Sequence, residues 1–111
     1  MTPAIWSDVE DDLETACLAA AQAVAKAATL QDMPAAFRAD RETAIGKHLH
    51  DAFSAAEKAL RRIVAAVDDS LPASGNFHRD LIERAARPDA DRRPAIVTAE
   101  TAAGLGLAPR A

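Results

Sequence analysis

Apolar side chains recur along the first part of the chain at intervals of three and four residues, which is the spacing of one face of an α-helix. The pattern begins after Ser7 and Glu10, which together form a capping box. It ends near Leu30, because Pro34 disfavours helical torsions in the residue before it. We therefore predict a first helix over residues 8–30. Its apolar face comprises Val9, Leu13, Cys17, Ala20, Val24 and Ala27.

A second and longer segment has its apolar positions in the alternating spacing of a coiled-coil seam, with the charged residues off the seam. We predict a helix over residues 40–69, capped by Asp40, with Pro34 as an alternative start. Gly46 interrupts this helix and indicates a close helix contact. Two long helices joined by a short linker usually pack antiparallel, so we expect that arrangement here. The seam comprises Ile45, Leu49, Phe53, Ala56, Leu60, Ile63 and Val67.

Two shorter helices follow. Leu71 and Pro72 end the second helix, a Ser-Gly-Asn turn follows at residues 74–76, and a third helix is expected over residues 76–86. Thr98 has the character of a cap, which predicts a short fourth helix over residues 98–104 with a disordered tail after it. The expected fold is all-α, a single domain over residues 1–111. It is an antiparallel bundle of three main helices with a short or truncated fourth.

The composition limits the size of the core and the class of protein. Alanine accounts for 29 of the 111 residues and favours helix while burying little area. The net charge of −4 argues against a surface devoted to nonspecific nucleic-acid binding. Cys17 is the single cysteine, so it cannot form an internal disulfide, and we expect it to pack in the core. No signal peptide or membrane-spanning run is visible, which favours a cytoplasmic protein.

The three histidines are the first candidates for chemistry, since their pKa lies near neutrality. His48 and His50 are two residues apart on a helix and point to different faces, so they cannot form a metal pair, and we expect neither metal nor cofactor. His78 lies beside Arg79 at a helix start, where a phosphate could bind. The alternative, which we favour, is that the His78 imidazole packs against the turn and the second helix.

Several short blocks occur in an order that resembles the HepT-like branch of the HEPN superfamily. They are LHD at residues 49–51, Glu57, IVAAVDDSLP at 63–72, GNFHRDLI at 75–82 and RPAIVTAET at 93–101. The resemblance covers approximately residues 45–101 and reaches the first helix only through its helical character. The positions that we assign to the family pattern as structural residues are Leu49, His50, Asp51, Asp68, Pro72, Phe77 and His78.

This resemblance implies an all-α bundle, frequently dimeric, which acts as the ribonuclease toxin of a toxin-antitoxin pair with a small nucleotidyltransferase as its partner. The family enzymes are metal-independent and use an Arg followed after four to six residues by a His on the last helix, usually with a Tyr nearby. This chain has no Tyr and no His after His78, so we assign no catalytic residue. Arg41 precedes His48 at the family spacing but on the wrong helix. The remaining candidates are Arg41, His48, His78 and Arg79.

The sequence therefore predicts a catalytically silent HepT-like component that binds a nucleotidyltransferase-type partner or a second copy of itself, with RNA as a further candidate ligand. One alternative is a helical scaffold protein with an exposed groove, unrelated to RNA. Another is a residual ribonuclease that uses the candidates named above. Without a full last helix, an apolar strip should remain partly uncovered and form an interface. The strip comprises Phe53, Leu60, Phe77 and Leu81.

Overall fold

A computed structural model describes residues 4–72, 77–89 and 91–106. Helix α1 spans Ala4–Ala28, a 3₁₀ turn spans Leu30–Asp32, and α2 spans Ala35–Asp68. Helices α3 and α4 span Phe77–Ala86 and Ala99–Gly104.

No strand occurs in the described ranges, and the all-α prediction is confirmed. The chain divides into two compact units, Met1–Ala59 and Leu60–Ala111, and the prediction of a single domain stays a prediction. The turn at 74–76 and the tail after residue 106 lie outside the described residues.

Both long helices begin earlier than their capping signals indicate. Ser7 lies inside α1 and Asp40 lies inside α2, so neither residue is the predicted cap. The alternative start at Pro34 is correct for α2, and the Phe37 amide donates to the Pro34 carbonyl over 2.9 Å. A cap contributes only about 1 kcal/mol. Helix-favouring alanines upstream, such as Ala4 and Ala35, therefore extend the helices past these signals.

In the first unit, α1 packs antiparallel to the part of α2 that belongs to this unit. The fully buried side chains there are small, apart from Val9. The predicted faces are correct at Val9, which is buried, and wrong at Leu13, Cys17, Val24, Leu49 and Phe53, which are exposed. Alanine faces allow two helix backbones to approach closely, and the larger side chains then lie outside the contact. The buried residues of this unit are Val9, Ala23, Ala55 and Ala59.

Gly46 does not mark a close helix contact. A Cβ atom built at this position would meet no atom within 4 Å, and the residue is exposed. The glycine is therefore not required by packing within the chain, and the expectation drawn from the sequence is wrong.

The second unit has a core of larger side chains. Val64 and Leu81 are fully buried, and the Ala85 carbonyl accepts the Ile96 amide over 2.8 Å, which holds the loop before α4 against α3. Thr98 caps α4 by accepting the Thr101 amide over 3.0 Å. The core cluster comprises Leu60, Val64, Leu81, Ile82, Ala85 and Ala102, with Phe77, Ala86, Ile96, Val97 and Leu105 packed against it.

The short fourth helix changes the expected exposure of the apolar strip. Leu60 and Leu81 are buried, so the prediction that they remain uncovered is wrong. Ala102 of α4 and the flanking Leu105 belong to the packing around them. Phe77 is half-buried, and of the predicted strip only Phe53 is exposed.

Candidate functional site

An ion pair in the second unit joins the end of α2 to the loop before α4. Arg93 donates from Nε to Oδ1 of Asp68 over 2.7 Å and from Nη2 to Oδ2 over 2.8 Å. Both side chains are largely buried, at 10% and 14% exposure. A bidentate pair of this kind combines charge with fixed geometry. The hydrogen bond from Arg93 lowers the pKa of Asp68, and the carboxylate raises the pKa of Arg93 in return.

Arg93 also donates to carbonyl groups at the end of α3 and in the loop that follows. Its Nη1 donates to the carbonyls of Arg87 and Pro94, each over 3.1 Å, and its Nη2 donates to the Arg84 carbonyl over 3.3 Å. The last carbonyls of a helix have no partner within the helix and attract cations. A single guanidinium therefore serves the ends of two helices.

Asp68 itself lies at the end of α2, where the helix dipole disfavours a carboxylate. Arg93 neutralises that charge, and Asp69 then takes a φ of 57°, which ends the helix in the left-handed region. Arg84 holds Ser70, which follows Asp69. The Arg84 Nη1 donates to both the carbonyl and the hydroxyl of Ser70, each over 3.2 Å.

These arginines line a cleft of about 270 Å³ together with acidic side chains. The guanidinium groups of Arg84 and Arg93 already donate to backbone carbonyls and to Asp68. At these two residues the cleft therefore serves to hold the end of α2 against α3. The sequence analysis missed Arg84 and did not assign Arg93 a role, although Arg93 opens the RPAIV block. The cleft is lined by Asp68, Arg84, Arg87, Pro88, Asp89 and Arg93.

His78 and Arg79 are each engaged within the second unit. The His78 Nε2 lies 3.4 Å from the Leu105 carbonyl, after the end of α4. Arg79 Nη2 lies 3.5 Å from Oε1 of Glu83, one turn further along α3. At the residue before His78, the Phe77 ring has its centre 5.1 Å from the guanidinium of Arg61 in α2, which is within cation–π distance. These contacts support a structural role for the start of α3 rather than a phosphate site.

A larger groove of about 590 Å³ lies in the first unit, between α1 and α2. His48 and Asp51 line it, whereas Arg41 and His50 are not among its lining residues. Lys47 donates to Oδ2 of Asp51 over 3.0 Å, and this hydrogen bond lowers the pKa of Asp51. The lining residues are Asp12, Thr15, Leu18, Ala19, Gln22, His48, Asp51, Ser54, Ala55 and Lys58.

The candidate residues are thus divided between the units. Arg41 and His48 belong to the first unit, and His78 and Arg79 belong to the second. Of the remaining family-pattern positions, Asp68 lies in the ion pair, Pro72 is half-buried, and Leu49 is exposed, as is His50.

Among the described residues, no group of three or more His, Cys, Asp or Glu side chains could hold a metal ion. No described helix has both the length and the apolar character needed to cross a membrane.

Comparison with known proteins places these blocks in a family. A family model described as HepT-like protein matches residues 44–110, which include the ion pair, the core of the second unit and all the short blocks noted in the sequence. No curated protein and no solved structure matches the chain. Since the match covers more than half of the 111 residues, the chain belongs to the HepT-like family.

Proposed function

We propose that this protein is a cytoplasmic toxin-antitoxin component that works by binding. Its partner is a small nucleotidyltransferase or a second copy of itself, and it does not cleave RNA on its own. The observation that carries the proposal is the family match over residues 44–110. Within the matched residues, Arg93 connects the ends of two helices: it pairs with Asp68 of α2 and donates to the Arg84 carbonyl of α3.

The contacts of the candidate residues support a binding role over a cleaving one. The metal-independent cleavage that the family resemblance implies uses an Arg and a His close to one phosphate group, the Arg to stabilise charge and the His as acid or base. Arg41 and His48 are seven residues apart on one helix, about 10 Å along its axis. His78 lies against the Leu105 carbonyl, and Arg79 pairs with Glu83. His78 and Arg79 therefore make contacts within the chain that compete with a substrate.

The groove between α1 and α2 supports a second candidate function, that of a helical scaffold unrelated to RNA. Its lining combines apolar Leu18 with Asp12, His48, Asp51 and Lys58, a mixture suited to a protein surface. A toxin-antitoxin component and a scaffold differ in their partner, and the two candidates can be separated by testing for a nucleotidyltransferase.

Co-expression of the full chain with a small nucleotidyltransferase encoded beside it tests the main proposal. We expect the two proteins to purify as one complex of fixed stoichiometry. The absence of such a gene, or the recovery of the two proteins as separate species, would favour the scaffold.

A parallel cleavage assay tests the proposed lack of ribonuclease activity. Purified protein, His48→Ala and His78→Ala are incubated with RNA without added metal, and we expect background cleavage in all three. Cleavage by the unmodified protein that disappears in either variant would overturn this part of the proposal and identify the histidine involved.

A further inference from the structure

The cleft of the second unit holds more positive charge than its contacts within the chain use. It has a volume of about 270 Å³, and its lining includes three arginines and two aspartates. The chain as a whole carries a net charge of −4, so this local excess does not follow from the composition. Which of these charges are neutralised within the chain decides what the cleft can bind.

Arg93 has no donor left for a ligand. Its Nε and one N–H of Nη2 donate to Asp68. The other three N–H groups donate to the carbonyls of Arg84, Arg87 and Pro94. A guanidinium group has five N–H donors, so all of them are engaged. The charges of Arg93 and Asp68 also offset each other.

The second carboxylate of the cleft has a cation beside it as well. Arg92 Nη1 lies 4.0 Å from Oδ2 of Asp89. The aspartates nearby in sequence, Asp69 and Asp91, do not line the cleft. The two pairs therefore leave the cleft with the positive charges of its two remaining arginines.

These remaining arginines, Arg84 and Arg87, keep most of their donors available. Arg84 uses only Nη1, which donates to Ser70, so its Nε and Nη2 are not engaged by any described residue. The guanidinium of Arg87 makes no hydrogen bond or ion pair within the described part of the chain. Arg87 is exposed and Arg84 is half-buried, so the cleft is open to a ligand at Arg87.

The backbone holds the two arginines close together. They are three residues apart across the end of α3, a spacing that makes side chains neighbours. The Arg87 amide donates to the Arg84 carbonyl over 3.4 Å, and the Arg87 carbonyl accepts from Arg93 over 3.1 Å. Neighbouring like charges repel each other. An anion between the two guanidinium groups would relieve that repulsion.

The dipole of α3 does not account for both cations. The last carbonyls of a helix do attract positive charge. Arg93 already supplies a cation there, and it donates directly to the carbonyls of Arg84 and Arg87. The additional charges of the Arg84 and Arg87 side chains are therefore left for another role.

The chemistry of the cleft favours a phosphate group as the ligand. Guanidinium groups bind carboxylates and phosphates through pairs of parallel hydrogen bonds. A tetrahedral phosphate presents oxygens in several directions, so two guanidinium groups can each bind a different pair of oxygens. Its charge, close to −2 near neutral pH, matches the two uncompensated arginines. A carboxylate offers two oxygens in one plane and a single charge.

We propose that Arg84 and Arg87 form a binding site for a phosphate group, either as inorganic phosphate or as the terminal group of a phosphomonoester. Arg93 is a positioning residue, because it holds the backbone carbonyls of both arginines. This inference does not rest on the proposed function. A result for the nucleotidyltransferase complex leaves it unaffected, and the reverse also holds.

The first test is calorimetric titration of the full chain with inorganic phosphate at low ionic strength, where charges are least screened. We expect one site with a dissociation constant of about 1 mM or lower. Arg87→Gln should raise this constant by about tenfold or more. Arg79→Gln is the matched control, since Arg79 is an exposed arginine of α3 outside the cleft. It should change the constant by less than about twofold. Circular dichroism confirms that each variant is folded.

Two further variants test the chemistry of the site. Asp89→Asn removes a negative charge from the cleft lining and should tighten phosphate binding, by about threefold. Arg87→Lys keeps the charge but loses the planar pair of donors, so its affinity should lie between those of Arg87→Gln and the unmodified chain. A gain of affinity in Asp89→Asn cannot come from a loss of folding. Weaker binding in Asp89→Asn would contradict the proposed site.

Titration with other anions identifies the ligand class. Acetate should bind at least about tenfold more weakly than phosphate. Equal binding of glycerol 2-phosphate and inorganic phosphate would support a phosphomonoester as the ligand, whereas binding of inorganic phosphate alone would support the free ion. Three results would overturn the proposal. They are no saturable binding up to about 20 mM phosphate, equal weakening by Arg87→Gln and Arg79→Gln, and acetate binding as tight as that of phosphate.

Discussion

Arg93 shows how one side chain can organise a small helical unit. It pairs with Asp68 over 2.7 and 2.8 Å and donates to three carbonyls, two at the end of α3 or just after it and one in its own loop. Loss of one partner of a largely buried pair leaves the other charge without compensation. The neighbouring Arg92 is exposed and lies 4.0 Å from Asp89, so its contribution to stability is small.

The pair makes stability depend on pH. Because the pKa of Asp68 is lower in the folded chain, its contribution is complete above the unfolded pKa of about 3.9 and is lost as the pH falls through the folded value. We expect Asp68→Asn to lower the free energy of unfolding by about 2–3 kcal/mol at pH 7 and by less at pH 3, which lies below the unfolded pKa. Urea denaturation at both pH values measures this difference.

The control for this measurement is Arg92→Ala, which should change the free energy of unfolding by less than about 0.5 kcal/mol at pH 7. Arg93→Met should lower it by more than Asp68→Asn does, because it also removes the donor to the carbonyls of Arg84, Arg87 and Pro94. An equal loss for Asp68→Asn at pH 7 and pH 3 would show that the carboxylate charge is not what the pair contributes.

Asp69 is the one described non-glycine residue with a positive φ, at 57°. A residue with a Cβ atom is strained there, and a carboxylate is also repelled by the negative end of the helix dipole. Asp69→Gly should therefore raise the free energy of unfolding by about 1 kcal/mol. Ala66→Gly, at an exposed position inside α2, should lower it by about 1 kcal/mol. Thermal denaturation of both variants tests the opposite signs.

At the scale of the elements, α4 has only six residues but completes a core. Ala102 is 1% exposed and belongs to the cluster around Leu81 and Ile82, whereas the adjacent Ala103 is exposed. The Thr98 cap fixes the start of α4 and therefore the direction in which Ala102 points. A short helix near the end of the chain thus decides whether Leu60 and Leu81 are buried.

This difference between neighbours gives a matched pair of substitutions. Ala102→Glu places a charge in the core and should lower the free energy of unfolding by about 3 kcal/mol or more. Ala103→Glu should change it by less than about 0.5 kcal/mol. Denaturation monitored by circular dichroism compares the two, and similar losses would mean that α4 does not dock as described.

At the scale of the whole molecule, the two units differ in what they bury. The second unit buries Val64, Leu81 and Ile82 almost completely, while the first buries mainly alanine. Regions with few buried apolar contacts open locally at a lower free energy. The stability of α1 should therefore depend more on a partner than the stability of α3 does.

Amide hydrogen exchange of the dilute chain tests this difference. We expect the amides of α1 to exchange faster than those of α3. Faster exchange in α3 than in α1 of the dilute chain would contradict the difference between the units.

Local features of the sequence determined much of this structure. The apolar spacing indicates helices, Pro34 marks the start of α2, and Thr98 marks the start of α4. Each of these signals acts over a few residues, so it can be evaluated without knowledge of what packs where. The ordered short blocks likewise identify the HepT-like family, because they are a property of the sequence itself.

Only the tertiary structure decided which faces are buried and which charges pair. The periodicity of α1 suits either Leu13 or Ala23 on the inside, and the packed structure buries Ala23 and leaves Leu13 exposed. Asp68 and Arg93 are 25 residues apart, so no local spacing predicts their contact. Burial and pairing depend on the neighbour that a side chain meets, and that neighbour is defined only when the helices pack.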